Sequence, residues 1–412
     1  MSETKKRVLF VDDEPKVLDG LRRMLRKLRD EWEMEFALSG REALEAMARQ
    51  PFDVVVSDMR MPEMDGAALL STVKERYPGT VRLILSGHSD KEMILRSVGP
   101  THQFLAKPCD ADTLKDTVIR AYALRALLSS NELEAIVAGI DTLPSPPALY
   151  SKLIEVLQSP ESSVQEVAEI ISSDVGMTAK VLQLVNSAFF GLRRHIESLA
   201  QAISYLGLDT IQAIVLTAGA FSELSDNREA LEMAEALYPH SVKVGALAGM
   251  IAKSVGDDKR LIDDSVMAGM LHDVGKLVFV AKLPGVWREA NKMARDKKMP
   301  LQDAERAVAG VSHAELGGYL LGLWGLPNPI VEAVAFHHRP RTCLSQAFSV
   351  LTAVHVANAL VIGTEAAPDE PTARQLDTDY LQELGVADRV PEWQALANES
   401  AERETADAGQ NA

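Results

Sequence analysis

Four short apolar runs alternate with helix-period segments, and each run stops at a polar residue. Val8–Val11 precedes Asp12 and Asp13, Val54–Val56 precedes Asp58, Leu83–Leu85 precedes Ser86, and Phe104–Ala106 precedes Lys107. The runs are too short, and too rich in β-branched and aromatic residues, for buried helices; they read as inner strands. Between them lie stretches such as Val17, Leu21, Leu25 and Leu28, with Met24 beside them, spaced along one helix face. Strand alternating with helix predicts an α/β domain, a doubly wound parallel sheet. In such sheets, groups at the carboxyl ends of strands share one crevice, where ligands bind. Asp12, Asp13, Asp58, Ser86 and Lys107 all fall there.

Three crowded carboxylates repel one another unless a cation offsets them. Mg²⁺ suits a site with few carboxylates, several waters and a substrate phosphate. Phosphoryl transfer asks mainly for positioning and charge neutralisation, so an aspartate nucleophile, a metal, a lysine and a hydroxyl suffice. Turn capping would account for any one of these acids but not for the set.

The segments VDDEP, VVVSDMRMPEMDG, LILSG and FLAKP, in this order, resemble the flavodoxin-like receiver domain of two-component response regulators, here residues 1–125. The resemblance implies that Asp58 accepts phosphate from a sensor histidine kinase. It implies that Asp12, Asp13, Asp58 and the Arg60 carbonyl hold Mg²⁺, and that Ser86 and Lys107 meet the phosphoryl oxygens. Phe104 takes the place of the aromatic switch, expected to turn inward on phosphorylation.

At 412 residues the chain is too long for one core, so two or three domains are expected. The longest nearly apolar run, around Ala213–Phe221, is far shorter than a membrane span. The start, MSETKKRVLF, lacks the apolar stretch of a signal peptide, and a cytoplasmic protein is expected. Cys109 and Cys343 form no paired motif, so no disulfide is expected. Net charge is −16, and the 48 residues from Glu365 onward carry 12 acids and 3 bases. Such a surface repels phosphate backbones, and no basic recognition helix stands out, so DNA is not expected as a partner.

Asp112–Ile140 keeps an apolar stripe without proline and reads as one long helix, its part over 126–142 serving as a helical linker. Leu143-Pro144-Ser145-Pro146-Pro147 ends it. From Ala148 the pattern is helical, with segments at Ala148–Leu157, Val164–Ser172, Met177–Phe189, Leu199–Leu206, Thr210–Leu224, Leu231–Val255, Asp264–Phe279, His313–Trp324, Ile330–His338 and Gln346–Ile362. An all-α domain over 143–398 is expected, then a disordered acidic tail over 399–412.

Six of the nine histidines, His240, His272, His313, His337, His338 and His355, follow residue 239, each within or at the end of an apolar helix. Helical bundles build metal sites in this way. His272-Asp273 in MLHDVGKL, with His240, resembles the HD superfamily of metal-dependent phosphohydrolases, which implies a metal held by His240, His272 and Asp273. His313 in SHAELGG and His337-His338 resemble further ligands of the HD-GYP cyclic dinucleotide phosphodiesterases. Imidazole with carboxylate suits Fe, Mn, Zn or Ni. Arg339-Pro340-Arg341 stands where those enzymes carry Gly-Tyr-Pro, and His355 and Asn358 stand around the place of their last aspartate.

IISSDVGMTAKVLQLVNSAFFG followed by SLAQAISYLGLDTIQAI resembles the HDOD domain, an HD-related output domain of bacterial signalling proteins. That resemblance implies an HD-like bundle serving as an interaction or regulatory output rather than a hydrolase. Three readings stay open: an output that binds a downstream protein when Asp58 is phosphorylated, an active HD-type phosphohydrolase, or a non-catalytic pocket for a nucleotide second messenger. The resemblance to receivers makes a homodimer plausible.

Overall fold

The structure, a computed structural model, describes residues 5–86, 101–107, 109–123, 127–128, 131–140, 162–186, 199–206, 228–343, 347–365 and 376–410, with a few isolated positions between 149 and 211. The helices expected over Ala148–Leu157 and Thr210–Leu224, and the end of that over Met177–Phe189, lie largely outside the described residues.

The first half is an α/β domain, with β1 (Lys6–Val11), α1 (Pro15–Met24), β2 (Trp32–Ala37), α2 (Gly40–Arg49), β3 (Val54–Asp58), α3 (Gly66–Arg76), β4 (Val81–Ser86), β5 (Gln103–Ala106) and α4 (Ala111–Ala123). The five strands are parallel in the order β2-β1-β3-β4-β5. The four runs read as inner strands are β1, β3, β4 and β5; the first three are inner, but β5 lies at the sheet edge, its apolar character coming from burial of Phe104 and Leu105 on its two faces. The edge strand β2 went unread because its partly exposed face carries Glu33 and Glu35 between Trp32, Met34 and Phe36. Val11 pairs with Ser57 and Asp58 with Leu85, which brings the carboxyl ends level. One sheet face packs Leu9, Val55, Ile84 and Phe104 against α2 and α3; the other carries Val8, Phe10, Val56 and Leu105 into a core that continues into the helical half.

The long helix expected over Asp112–Ile140 is instead two, α4 and α5 (Asn131–Ala138), parted by non-helical backbone at Leu128. Ser129-Ser130-Asn131 is a run of helix-starting residues, which favours a fresh N-terminus over continuation. Beyond it, every regular element among the described residues is helical: α6 (Val164–Ser172), α7 (Val175–Asn186), α8 (Leu199–Leu206), α9 (Arg228–Val255), α10 (Lys259–Leu271), α11 (Val274–Lys282), α12 (Pro284–Lys297), α13 (Leu301–Ala309), α14 (His313–Leu323), α15 (Asn328–Phe336), α16 (Val350–Glu365), α17 (Thr378–Glu383) and α18 (Val390–Gln410). The tail expected to be disordered is helical as far as Gln410, since alanine and glutamate are strong helix formers. No described helix is long and apolar enough to cross a membrane. Both cysteines are free thiols.

The two halves meet at the amino-terminal ends of β4 and β5. Arg82, fully buried, donates through Nη2 to the Ala138 carbonyl at the end of α5 (2.7 Å). His102 accepts the Arg82 main-chain N–H at Nδ1 (3.0 Å), so its proton sits on Nε2 and points at the same carbonyl (2.8 Å). Burial, with the Arg82 charge beside it, pushes the His102 imidazole well below its usual range and keeps it neutral. Gln103 donates to the Gly322 and Leu323 carbonyls at the end of α14 (3.2 and 3.0 Å). The Ala138 and Leu323 carbonyls are helix-end groups without an intrahelical partner, and the Gly322 carbonyl also accepts the Gly325 N–H (3.0 Å).

Asp264 on α10 is 1% exposed, and burial pushes its carboxyl up to about 6. The stability it contributes is therefore full below about pH 4 and is lost as pH rises through 6. Asp264→Asn should be more stable than wild type at pH 7.5, by about 1 kcal/mol, and indistinguishable from it at pH 4. Urea midpoints at the two pH values check this.

Candidate functional site

At the carboxyl rim of the sheet, Lys107 follows β5 and reaches both Asp12 (2.8 Å) and the Asp58 carboxylate. Asp12 and Asp58 are 2% and 9% exposed, and Asp13 is partly exposed at the mouth. The Asp12 carboxylate also accepts from the Glu14 N–H (2.9 Å), and Asp58 from the Arg60 N–H (2.8 Å). Burial pushes the Asp58 carboxyl up against the opposing pull of Lys107. Burial alone would lower Lys107, but the two carboxylates outweigh it and hold the ammonium charged. Ser86 Oγ is buried without a hydrogen-bond partner, although the Ser86 carbonyl accepts the Lys107 N–H (2.8 Å).

A buried carboxylate pair that already draws in one cation, beside an unsatisfied hydroxyl, has the donors for a divalent ion and an acceptor-rich group such as phosphate. Of the five rim residues found in the sequence, Asp12, Asp58 and Lys107 are in direct contact, and Ser86 adjoins Lys107 through its carbonyl. Phe104 is 3% exposed and packs with Ile84 and the α3 residues Leu69 and Leu70. The ring lies in the apolar layer between the sheet and α3.

The second site forms where helix ends converge in the helical half. Asp273, 1% exposed between α10 and α11, lies at its centre. Around it stand His313 Nε2 (3.1 Å), His272 Nε2 (3.3 Å), His337 Nε2 (3.9 Å) and His240 Nε2 (4.0 Å). His338 Nε2 lies 2.9 Å from His313 Nε2. Asp273, His313, His337 and His338 offer ligand atoms within 4.8 Å of one another, as do His240, His272 and Asp273.

Each ring is oriented from behind. His272 Nδ1 bonds the Gly269 carbonyl (2.7 Å), His337 Nδ1 the Val334 carbonyl (2.8 Å), and His313 Nδ1 the buried Glu305 carboxylate (2.7 Å). At His272 and His337 the bond to a carbonyl places the ring proton on Nδ1 and leaves Nε2 with a lone pair, the arrangement that supports metal ligation, whereas His313 has a carboxylate at each ring nitrogen, Glu305 at Nδ1 and Asp273 at Nε2. His272 Nε2 has no hydrogen-bond partner. Burial alone would lower the His313 imidazole, but Glu305 and Asp273 outweigh it and raise it. Lys276 Nζ also pairs with Asp273 (2.5 Å), and Asn358 Oδ1 meets His240 Nε2 (3.1 Å).

His355 does not join this cluster. Its Nδ1 bonds the His337 carbonyl (2.7 Å) and its Nε2 accepts the Asp377 N–H (3.0 Å), so both ring nitrogens serve the main chain. Asn358, three residues on and one helix turn away, faces the centre instead. Glu305, on the unread helix α13, and Lys276 were absent from the sequence-based site. The sign of Glu305 was a carboxylate on the apolar stripe Leu301, Ala304, Val308, where only a paired acid is tolerated.

The response regulator receiver domain family matches residues 8–119, and the HDOD domain family matches residues 143–340. The chain is a response regulator with an HDOD output domain. It is 38% identical over 129 residues to the hydrogenase transcriptional regulatory protein HoxA of Cupriavidus necator, covering 31% of this chain and 26% of HoxA. It is 27% identical over 226 residues to an uncharacterized protein of Treponema pallidum, 54% of this chain and 43% of that one. The MmoQ response regulator of Methylococcus capsulatus aligns over 62% of this chain and 98% of its own, with 22% identity and a TM-score of 0.45. The chain spans less than half the length of the two curated relatives. In this response regulator the rim crevice lies in the receiver, and the histidine centre spans residues from His240 to Asn358, partly beyond the HDOD match.

Proposed function

We propose that this response regulator is a cytoplasmic phosphorylation switch in which a sensor histidine kinase transfers phosphate to Asp58. The reading rests on Lys107, bridged between Asp12 and Asp58 beside the unsatisfied Ser86 hydroxyl. Asp12, Asp13, Asp58 and the Arg60 carbonyl would hold Mg²⁺, which supplies charge neutralisation during phosphoryl transfer. The Asp58 carboxylate attacks phosphorus as the phosphorus–nitrogen bond of the kinase's phosphohistidine breaks and its imidazole leaves, while Lys107 moves from carboxylate to phosphoryl oxygen and Ser86 donates a hydrogen bond to another.

The HDOD domain, taken as residues 143–398 after the receiver (1–125) and linker (126–142), acts as an interaction or regulatory output. Val354, Tyr380 and Trp393 share the core of α9–α15, which supports extending the domain past the family match. His240, His272, Asp273, His313, His337 and His338 would hold a transition ion of the Fe, Mn, Zn or Ni class, a Lewis acid toward water when bound. The Lys276 ammonium neutralises the central carboxylate, and Asn358 is a neutral amide where a second acid would strengthen the site. Both weigh against turning over a phosphodiester. The output then acts on a downstream protein, with a nucleotide second messenger as the competing ligand.

Elemental analysis of the purified protein beside a cyclic dinucleotide hydrolysis assay tests the output reading. Stoichiometric metal without turnover is expected, with the metal lost in His272→Ala/Asp273→Ala. Turnover that disappears in the same variant would make the domain a hydrolase.

A further inference from the structure

We infer that β5 and α14 form one mechanical link between the two sites, so that the phosphorylation state of Asp58 sets the metal affinity of the histidine centre through Gln103. The inference rests on the metal-holding reading of that centre. β5 runs from Gln103 to Ala106 and is followed at once by Lys107, so one strand of about 13 Å has the lysine that touches Asp58 at one end and Gln103 at the other. The Gln103 amide places both its protons on the end of α14, at the Gly322 and Leu323 carbonyls. The opposite end of α14, about 16 Å away, is His313, whose ring lies on Asp273 and Glu305. Two elements and one side chain therefore span the distance from phosphoacceptor to histidine centre.

The link is stiff at each joint. Gly325, at φ +79°, closes the helix with the Leu326 N–H on the Leu321 carbonyl (3.1 Å), and a Cβ at Gly325 would press on the Gln103 amide carbon at 3.0 Å. Only glycine accepts both that backbone angle and that approach. At the other end, a Cβ at Gly275 would collide with the His313 carbonyl, and Gly318 lies against the backbone of Ala335. α14 thus packs backbone to backbone on α11 and α15, the helices that flank Asp273 and His337. Its residues from His313 to Leu323 are all buried except Glu315, so the helix has no soft face along which to absorb a shift. Packed helices of this kind move as bodies between discrete positions.

Phosphorylation adds about two negative charges at Asp58 and draws Lys107 from the carboxylates to the new oxygens. The strand carrying Lys107 also carries Gln103, which pulls on α14 and so on the distance between His313 and Asp273. Coupling of this kind is reciprocal, so an ion in the histidine centre changes how readily the receiver binds a phosphate mimic.

The test is Zn²⁺ affinity of the full-length protein, by chelator competition, with and without beryllofluoride and Mg²⁺, in wild type, Gln103→Met and Asp58→Asn. Hydrogen exchange over His313–Gly317 is measured in the same states without Zn²⁺. Wild type should change its Zn²⁺ affinity about fivefold or more, with a matching change in exchange. Gln103→Met should lose both changes while still binding Zn²⁺ and beryllofluoride, and Asp58→Asn should show neither change. Equal affinities in the two wild-type states, or a full change retained by Gln103→Met, overturn the inference. A protein with no Zn²⁺ site loses the metal reading and the affinity claim with it, whereas unchanged exchange overturns the mechanical link itself.

Discussion

Glu305→Ala will destabilise the helical domain by about 3 kcal/mol and cost about 10–100-fold in metal affinity. Glu305 is fully buried and its Oε2 accepts from both the His313 main-chain N–H (2.8 Å) and the His313 ring (2.7 Å). Alanine leaves two buried donors unsatisfied and opens a cavity in a core that cannot collapse around it. It also releases the bond that orients the His313 ring from behind, so Nε2 is no longer held toward Asp273. Urea unfolding monitored by tryptophan fluorescence and a Zn²⁺ titration measure the two effects. Glu305→Gln, which can accept one of the two bonds, should fall between alanine and wild type in both. Equal stability of wild type and Glu305→Ala would mean that the carboxylate is not what holds His313.

Asp58→Asn will raise the stability of the receiver in the absence of Mg²⁺ and abolish the stabilisation that Mg²⁺ confers. Burial raises the Asp58 carboxyl in the fold, so the protonated form is favoured there relative to the unfolded chain. The stability tied to this group is therefore complete at low pH and is lost as pH rises through its folded value. The gain in the variant should accordingly grow on leaving the acid range. Wild type at ten times its Mg²⁺ dissociation constant should gain about 1.4 kcal/mol, a gain the variant loses because one of three carboxylates is gone. Thermal melts at pH 5 and pH 7.5, with and without Mg²⁺, resolve both parts. A variant less stable than wild type at pH 7.5 would show that Lys107 more than repays the burial of Asp58.

The parts of this protein legible in the sequence are those where one physical demand acts alone. β1, β3 and β4 are inner strands, and β5, at the sheet edge, buries Phe104 on one face and Leu105 on the other, so all four stood out as apolar runs and their carboxyl ends marked the rim. β2 has one partly exposed face, and its glutamates diluted the signal. Arg82 sits in the apolar run Val81–Leu85, a charge that an inner strand tolerates only where something meets it; that partner is the α5 carboxyl end, 56 residues away. Gln103 is likewise ordinary in sequence and meets α14 some 220 residues later. The histidines announced themselves by number and by the His272-Asp273 pair. Choosing between His355 and Asn358 required the rotation of α16 about its axis, which three residues of spacing leave open. α12 went unread because its charged residues outnumber the apolar ones that face the core, and α13 because Glu305 interrupts its short apolar stripe.

Everything proposed for the receiver turns on Asp58 as the residue that receives phosphate. The full-length protein treated with acetyl phosphate and Mg²⁺, its acyl phosphate trapped by borohydride reduction and located by peptide mapping, measures this directly. A single modified position, Asp58, is expected, and it disappears when Mg²⁺ is withheld. Modification at another residue, or none at all in a folded protein that binds Mg²⁺, would contradict it.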